Sequence, residues 1–154
     1  MLTEEDKRRI SEAAGLHEQH SAAVPEALRI VQDARGWVDD QSVRDIAELL
    51  EVSPEAVDDV ATFYSLIYRR PVGRHVILLC DSISCWLTGF TDVRAHLREK
   101  LGIDFGQTTP DGRFTLLPAA CLGHCEQAPA MMIDRTIYGN LTPQRIEQAL
   151  EKHQ

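Results

Sequence analysis

Apolar residues recur at helical spacing through residues 1–70, and the pattern predicts four helices. The first begins after Thr3, whose hydroxyl can cap a helix that opens with three acidic residues. A second opens near Pro25, a third carries the apolar positions within residues 43–50, and a fourth follows Ser53 as its cap. We therefore expect a helical N-terminal domain over residues 1–70.

The pattern changes at Pro71, because proline and the nearby Gly73 end helices and the next apolar run has the length of a strand. The order that follows is strand, helix, strand, then a hairpin and a final helix. This order is typical of a thioredoxin-like arrangement with a right-handed crossover. We expect a second domain over residues 71–154, with strands at 76–79, 114–117, 131–133 and 136–138, a helix at 92–101 and a last helix capped by Thr142.

Composition and charge exclude several classes of protein. The chain has 154 residues, of which 44% are apolar and 26% charged, and no apolar run approaches the roughly 20 residues that span a bilayer. The beginning of the chain, MLTEEDKRRI, lacks the apolar region of a secretory signal, so we expect a reducing, cytoplasmic location. The net charge of −8 argues against nucleic-acid binding, and residues 1–70 alone carry 15 acidic and 8 basic side chains.

The four cysteines form two pairs, in the segments CDSISC and CLGHC. Cys80 ends the first predicted strand and Cys85 is expected in the loop after it, whereas Cys121 and Cys125 are expected in the loop after the second parallel strand. Adjacent parallel strands deliver the loops at their carboxyl ends side by side, where open α/β sheets bind ligands. We therefore expect the four thiols to converge on one metal site.

The spacing of the cysteines leaves three outcomes open. Four thiolates suit a structural zinc ion, two thiolates for each of two irons suit a [2Fe–2S] cluster, and disulfides or unliganded thiols are the remaining outcome. Neither pair has the C-x-x-C spacing of a thiol-disulfide oxidoreductase, which makes that activity the weaker hypothesis.

The segments ATFYSLIYRRPVGRHVILLCDSISC and DGRFTLLPAACLGHCEQAPAMMI resemble the family of E-type subunits of bacterial NADH:quinone oxidoreductase, respiratory complex I. Members of this family are thioredoxin-like [2Fe–2S] ferredoxins with a helical N-terminal region. The resemblance implies a mixed α/β fold, a helical bundle followed by a β-α-β-β-β-α domain. It also implies one [2Fe–2S] cluster bound by Cys80, Cys85, Cys121 and Cys125.

The resemblance further implies the partners and the reaction. The chain is expected to contact a flavoprotein subunit that binds FMN and NADH, with other subunits of the peripheral arm, on the cytoplasmic side of the inner membrane. It would support electron transfer from NADH towards quinone without oxidising NADH itself, because no G-x-G-x-x-G loop is present. The alternatives are the equivalent diaphorase subunit of an NAD-linked hydrogenase or formate dehydrogenase and, from another class, a zinc-stapled interaction module.

Several other residues have two interpretations each. His124 is expected to be solvated or to lie behind the ligands, and Trp86 to shield the cysteines or pack in the core. Phe63 and Tyr64 are interpreted as core or domain-contact packing, with contact to a partner as the alternative. The spacing of the remaining histidines predicts no second metal site; these are His17, His20, His75, His96 and His153.

Overall fold

The computed structural model describes residues 1–153. The chain divides into two compact units, Met1–Pro71 and the residues from Val72 onward, one residue beyond the boundary expected between residues 70 and 71. None of the helices in the described part of the chain has the length and apolar character needed to cross a membrane.

The first unit consists of four α-helices around its own apolar core. Thr3 caps the first helix as predicted: its hydroxyl accepts the Asp6 N–H, and the Asp6 carboxylate accepts the Thr3 N–H. Fully buried side chains such as Ile10, Leu28 and Ile46 fill the core between the helices. The helices are α1 (Glu4–Ala14), α2 (Val24–Arg35), α3 (Asp40–Leu50) and α4 (Pro54–Phe63), with a 3-10 turn at His20–Ala23 before α2.

The second unit is a five-stranded mixed sheet whose strand order is β2-β3-β1-β4-β5. The central strand β1 is parallel to β3 and antiparallel to β4. Fully buried residues such as Ile77, Leu79 and Leu116 form the apolar core of this unit. The strands are β1 (His75–Cys80), β2 (Gln107–Thr108), β3 (Phe114–Ala119), β4 (Met131–Ile133) and β5 (Thr136–Tyr138), and the helices are α5 (Ile83–Thr88), α6 (Phe90–Leu101) and α7 (Pro143–Glu151).

The predicted thioredoxin-like order is confirmed, but the short helix α5 and the short strand β2 were missed. Cys85 was expected in a loop, which is wrong, because it lies in α5. This helix has only six residues, too few to show a helical period, and Gly89 ends it with a φ of 124°. The two residues of β2 are both exposed, so no apolar pattern marked that strand either.

Candidate metal centre

The carboxyl ends of β1 and β3 lie side by side and carry the first and third cysteines. Cys80 is paired with Ala119 in the parallel register, and Cys121 follows two residues after Ala119. The Asp81 N–H donates to the Ala119 carbonyl at 2.8 Å, which keeps the two chains together just beyond the last strand residues. The sheet therefore brings together two cysteines that are 41 positions apart in sequence.

The first pair, Cys80 and Cys85, is part of the protein interior. Both side chains are only 2% exposed and pack against Ala130, the residue before β4. The Cys80 N–H donates to the Ala130 carbonyl at 3.1 Å, so the strand end that carries Cys80 is held on both sides. Cys85 reaches the site because α5 begins three residues after β1 ends. This pair therefore has little room to move.

The second pair, Cys121 and Cys125, lies on an exposed loop and the 3-10 turn that follows it. The two Sγ atoms are 3.8 Å apart. Gly123, between them, has a φ of 72°, a conformation that glycine adopts without strain, and its N–H donates to Cys121 Sγ at 3.4 Å. The backbone is thus turned so that an N–H group faces a sulfur atom.

The thiols influence one another's protonation, as expected for groups that meet at one point. Burial, followed by the neighbouring Cys80 thiol, raises the pKa of Cys85 to about 11. The Gly123 N–H, followed by the Cys125 thiol, lowers the pKa of Cys121. The Cys121 thiol in turn raises the pKa of Cys125, and Cys80 acts in the same direction. All four predicted site residues are therefore brought together.

This donor set fits a soft metal or an iron–sulfur cluster. Two thiolates on one tetrahedral metal, with bonds of about 2.3 Å, lie about 3.8 Å apart. The Cys121–Cys125 distance matches this separation without movement. The four cysteines are free thiols, so none is committed to a disulfide. The separation of Cys121 and Cys125 by itself is the same for zinc and for one iron of a [2Fe–2S] cluster.

Gly139 supports the loop of the second pair and was missed in the sequence. A Cβ at this position would lie 2.5 Å from the Cβ of Gln127 and 2.9 Å from Cδ2 of His124. The backbone after β5 therefore approaches the 3-10 turn of Cys125 closely enough that only glycine fits. The glycine directly after a predicted strand was the only signal, and it is also the ordinary signal of a turn.

The structure decides in part between the two interpretations of four side chains, His124, Trp86, Phe63 and Tyr64. His124 Nδ1 lies 3.2 Å from Glu126 Oε1, on the partly exposed side of the loop. Trp86 is 60% exposed, so the interpretation of this residue as core packing is wrong. Phe63 is 81% exposed and Tyr64 is also exposed, so core packing is wrong for them too. Core packing is one of the two interpretations of these aromatic residues because large aromatic side chains are usually buried.

Two of the histidines whose spacing predicts no second metal site nevertheless meet at one carboxylate. His75 and His153 both lie beside Asp134, and one ligand atom from each of the three residues lies within 4.8 Å of the others. These residues are 59 and 19 positions apart, so no local spacing could have shown their proximity.

Comparisons with known proteins identify relatives over almost the whole chain. Residues 10–154 match the family described as thioredoxin-like [2Fe-2S] ferredoxin. The E-type subunit of NADH-quinone oxidoreductase from Escherichia coli strain K12 is 51% identical over 142 residues, which cover 89% of this chain and 86% of that protein. The corresponding subunit from Buchnera aphidicola (subsp. Acyrthosiphon pisum, strain APS) is 47% identical over 152 residues, which cover 99% of this chain and 94% of that protein.

A solved structure shares the fold. The crystal structure of an NAD+-reducing [NiFe]-hydrogenase in the H2-reduced state contains a similar region, with a TM-score of 0.68 and 28% identity. The alignment covers 81% of this chain but only 21% of the hydrogenase chain, so this chain corresponds to about a fifth of that polypeptide.

Proposed function

Because the chain belongs to the thioredoxin-like [2Fe-2S] ferredoxin family, we propose that Cys80, Cys85, Cys121 and Cys125 bind one [2Fe–2S] cluster and that the chain is an electron-transfer subunit of an NADH:quinone oxidoreductase. The observation that carries this proposal is the convergence of four free thiols at the carboxyl ends of β1 and β3. Family membership then selects iron and sulfide over zinc.

Each cysteine pair is assigned to one iron. Cys121 and Cys125 already have the separation of two thiolates on a single metal. Cys80 and Cys85, buried against Ala130, would hold the other iron on the inner side of the site. The first pair would therefore hold its iron from buried thiols and the second pair from exposed ones.

The protein controls how readily an electron is accepted. A bound [2Fe–2S] cluster accepts and releases one electron at a time, which adds and removes one negative charge. The Gly123 N–H at Cys121 and the Ala130 N–H at Cys85 stabilise negative charge on sulfur and so favour reduction. Asp81 and Glu126, adjacent in sequence to ligands, oppose it. The balance between these donors and carboxylates would set the reduction potential of the cluster.

The hydride chemistry of NADH belongs to a partner subunit. No glycine-rich loop in this chain would hold the pyrophosphate of a dinucleotide. The relatives are named as subunits of a larger oxidoreductase. We assign the partner as the FMN-binding, NADH-oxidising subunit of that enzyme, in the peripheral arm on the cytoplasmic side of the membrane.

Helix α5 provides the docking surface for that partner. Its side chains Ile83, Trp86 and Leu87 are large, apolar and exposed, although apolar residues of this size are usually buried. Trp86 directly follows the ligand Cys85, so a partner that covers this surface would come close to the cluster. Aromatic anchors surrounded by aliphatic side chains are typical of the energetic centre of an interface.

The helical unit provides a second docking surface. Phe63, Tyr64 and Leu66, at the end of α4 and just after it, are exposed as well. Residues 1–70 carry more acidic than basic side chains, and charged faces of this kind favour contact with water. The apolar face formed by Phe63, Tyr64 and Leu66 is therefore the one available for contact with a partner. We propose that residues 1–70 act as a clasp that contributes much of the area buried against the flavoprotein.

The cofactor is tested by chemical analysis of the pure chain. We expect two irons and two acid-labile sulfides per chain, a brown colour, and no oxidation of NADH by the chain alone. A colourless protein with one zinc would instead establish the zinc-stapled module. Four irons per chain, or NADH oxidation by the isolated chain, would overturn the proposal.

The partner is tested by co-purification with the FMN-binding subunit. Trp86→Ala should weaken the complex by at least about 2 kcal/mol if this side chain is an interface anchor. The matched control Ile137→Ala removes an exposed apolar side chain of β5 that belongs to neither surface and should leave affinity unchanged. Deleting residues 1–70 should weaken co-purification strongly and leave the absorption spectrum of the cluster nearly unchanged. Equal affinity of the truncated and full-length chains would contradict the clasp.

The equivalent role in an NAD+-reducing hydrogenase is the second candidate, favoured by the shared fold at a TM-score of 0.68. The 47–51% identity to the subunits of NADH-quinone oxidoreductase, against 28% to the hydrogenase region, makes the respiratory enzyme the stronger candidate. Purification of the native complex separates the two, because nickel would accompany the chain only in a hydrogenase.

A further inference from the structure

A second group of metal-ligating side chains lies at the opposite end of β1 from the cysteines. His75 is the first residue of β1, and Asp134 lies in the turn between β4 and β5. His153 lies in the two described residues that follow α7. His75 Nδ1 is 2.7 Å and His153 Nδ1 is 3.4 Å from the same oxygen, Asp134 Oδ2.

A second set of contacts orients these three side chains. The other carboxylate oxygen of Asp134, Oδ1, accepts the Val76 N–H at 3.0 Å, which leaves Oδ2 directed at the histidines. Nε2 of His153 lies 3.1 Å from the Tyr138 hydroxyl, a partner for the ring nitrogen that does not face Asp134. Histidine ligands of metals characteristically have their other ring nitrogen hydrogen-bonded in this way.

We propose that His75, Asp134 and His153 form a binding site for a divalent transition-metal ion of the zinc class, separate from the [2Fe–2S] cluster. Two imidazole nitrogens and one carboxylate oxygen are ligands that such ions accept, with a water molecule in the fourth position. Ligand atoms bound to tetrahedral zinc at about 2.0–2.1 Å lie about 3.3 Å apart. The two distances to Asp134 Oδ2, 2.7 and 3.4 Å, need only small side-chain rotations to meet this value.

The position of the His75–Asp134–His153 site determines which part of the protein a bound ion would stabilise. The three ligands come from the start of the central strand, a hairpin turn and the segment after the last helix, so a bound ion links parts of the chain that are distant in sequence. His75 and Cys80 are at opposite ends of a six-residue strand, roughly 16 Å apart at the usual rise of a β-strand. The ion therefore stabilises the sheet unit without using the thiols.

The test is a calorimetric titration of the full-length, cluster-loaded protein with Zn²⁺, in which the cluster occupies the thiols. We expect one zinc per chain. Tyr138→Phe should weaken zinc binding by about tenfold, since losses at residues that orient ligands are about 10–100-fold. Asp134→Asn changes a ligand itself and should weaken binding by more, about 100-fold or greater. Asparagine tolerates the left-handed backbone of this position, where φ is 54°, so the turn is retained. The absorption spectrum of the cluster reports that each variant is folded.

The matched control is His20→Gln, which changes an exposed histidine of the other unit and should leave zinc affinity unchanged. The proposal is overturned if the loaded protein binds no zinc, or if Asp134→Asn and His20→Gln bind it as tightly as the original protein. It is also overturned if zinc bleaches the cluster in proportion to its uptake, because the ion would then be binding at the cysteines.

Discussion

The two cysteine pairs serve one site from opposite kinds of structure. Cys80 and Cys85 are at the end of a buried strand and in a helix, and both are 2% exposed. Cys121 and Cys125 are on an exposed loop whose shape depends on Gly123 and on the close approach of Gly139. The first pair is positioned by core packing, whereas the second is positioned by backbone conformation.

This difference separates two tasks. Side chains fixed by a well-packed core have almost no freedom, so in the proposed site the inner pair, Cys80 and Cys85, would determine where the cluster lies. A loop can open without unfolding the sheet, so in the same proposal the outer pair, Cys121 and Cys125, would determine how easily the cluster enters, leaves and meets solvent. Four predictions test this division, from the largest expected effect to the smallest.

Replacing Cys80 by alanine should give the largest effect, the loss of the cluster. One iron would lack a ligand at a position that is only 2% exposed, so its coordination would be incomplete. Iron analysis should find less than about a tenth of the original content. His124→Ala is the control in the same region and should retain two irons per chain; a cluster-free His124→Ala protein would mean that the ligand set is wrong.

After removal of the cluster, the thiols of Cys121 and Cys85 should differ in their rates of alkylation by at least about tenfold. A difference of one pKa unit between two thiols corresponds to about this factor in the thiolate fraction. The thiolate is the reactive form, Cys121 is exposed with a lowered pKa, and Cys85 is buried with a pKa of about 11. After chelation of the metal, iodoacetamide near neutral pH should therefore modify Cys121 first. Peptide mass spectrometry at successive times measures both rates. Equal rates would show that the inner pair opens as readily as the loop.

Gly139→Ala should destabilise the loop of the outer pair. The added methyl group would overlap Gln127 and displace the turn that carries Cys125, at a cost of about 1–3 kcal/mol for overpacking. We expect faster loss of the cluster to a chelator, with the fold of the sheet retained. Gly15→Ala is the matched control, because a methyl group there makes only ordinary contacts with α1. If the two variants lose the cluster to a chelator at similar rates, the close approach of Gly139 does not stabilise the loop of the outer pair.

Gly123→Ala should have the smallest effect of the four. No atom lies within 4 Å of a Cβ at this position, so the cost is the backbone strain of a φ of 72° alone, about 1–2 kcal/mol. Cluster loss to a chelator should accelerate less than in Gly139→Ala. Gly123→Asn should fall between the original protein and Gly123→Ala, because asparagine adopts this conformation more readily. If Gly123→Ala and Gly123→Asn lose the cluster at the same rate, backbone strain at this position is not the cause of the faster loss.

The sequence by itself determined the order of the elements and the four thiols. Caps such as Thr3 and Ser53, and strand-length apolar runs such as the one before Cys80, are local signals whose physical basis does not depend on the rest of the fold. The two cysteine pairs were visible for the same reason, and parallel strands were enough to predict that they meet.

Only the tertiary structure decided which pair is buried, what surrounds it and which distant residues become neighbours. Helix α5 is too short for a period, so neither the place of Cys85 in a helix nor the exposure of Trp86 could be predicted. Gly139 matters through a contact across the fold, and His75, Asp134 and His153 meet because strand pairing and the path of the chain after α7 bring them together. Local pattern contains no information on such contacts, because they depend on how separate segments pack.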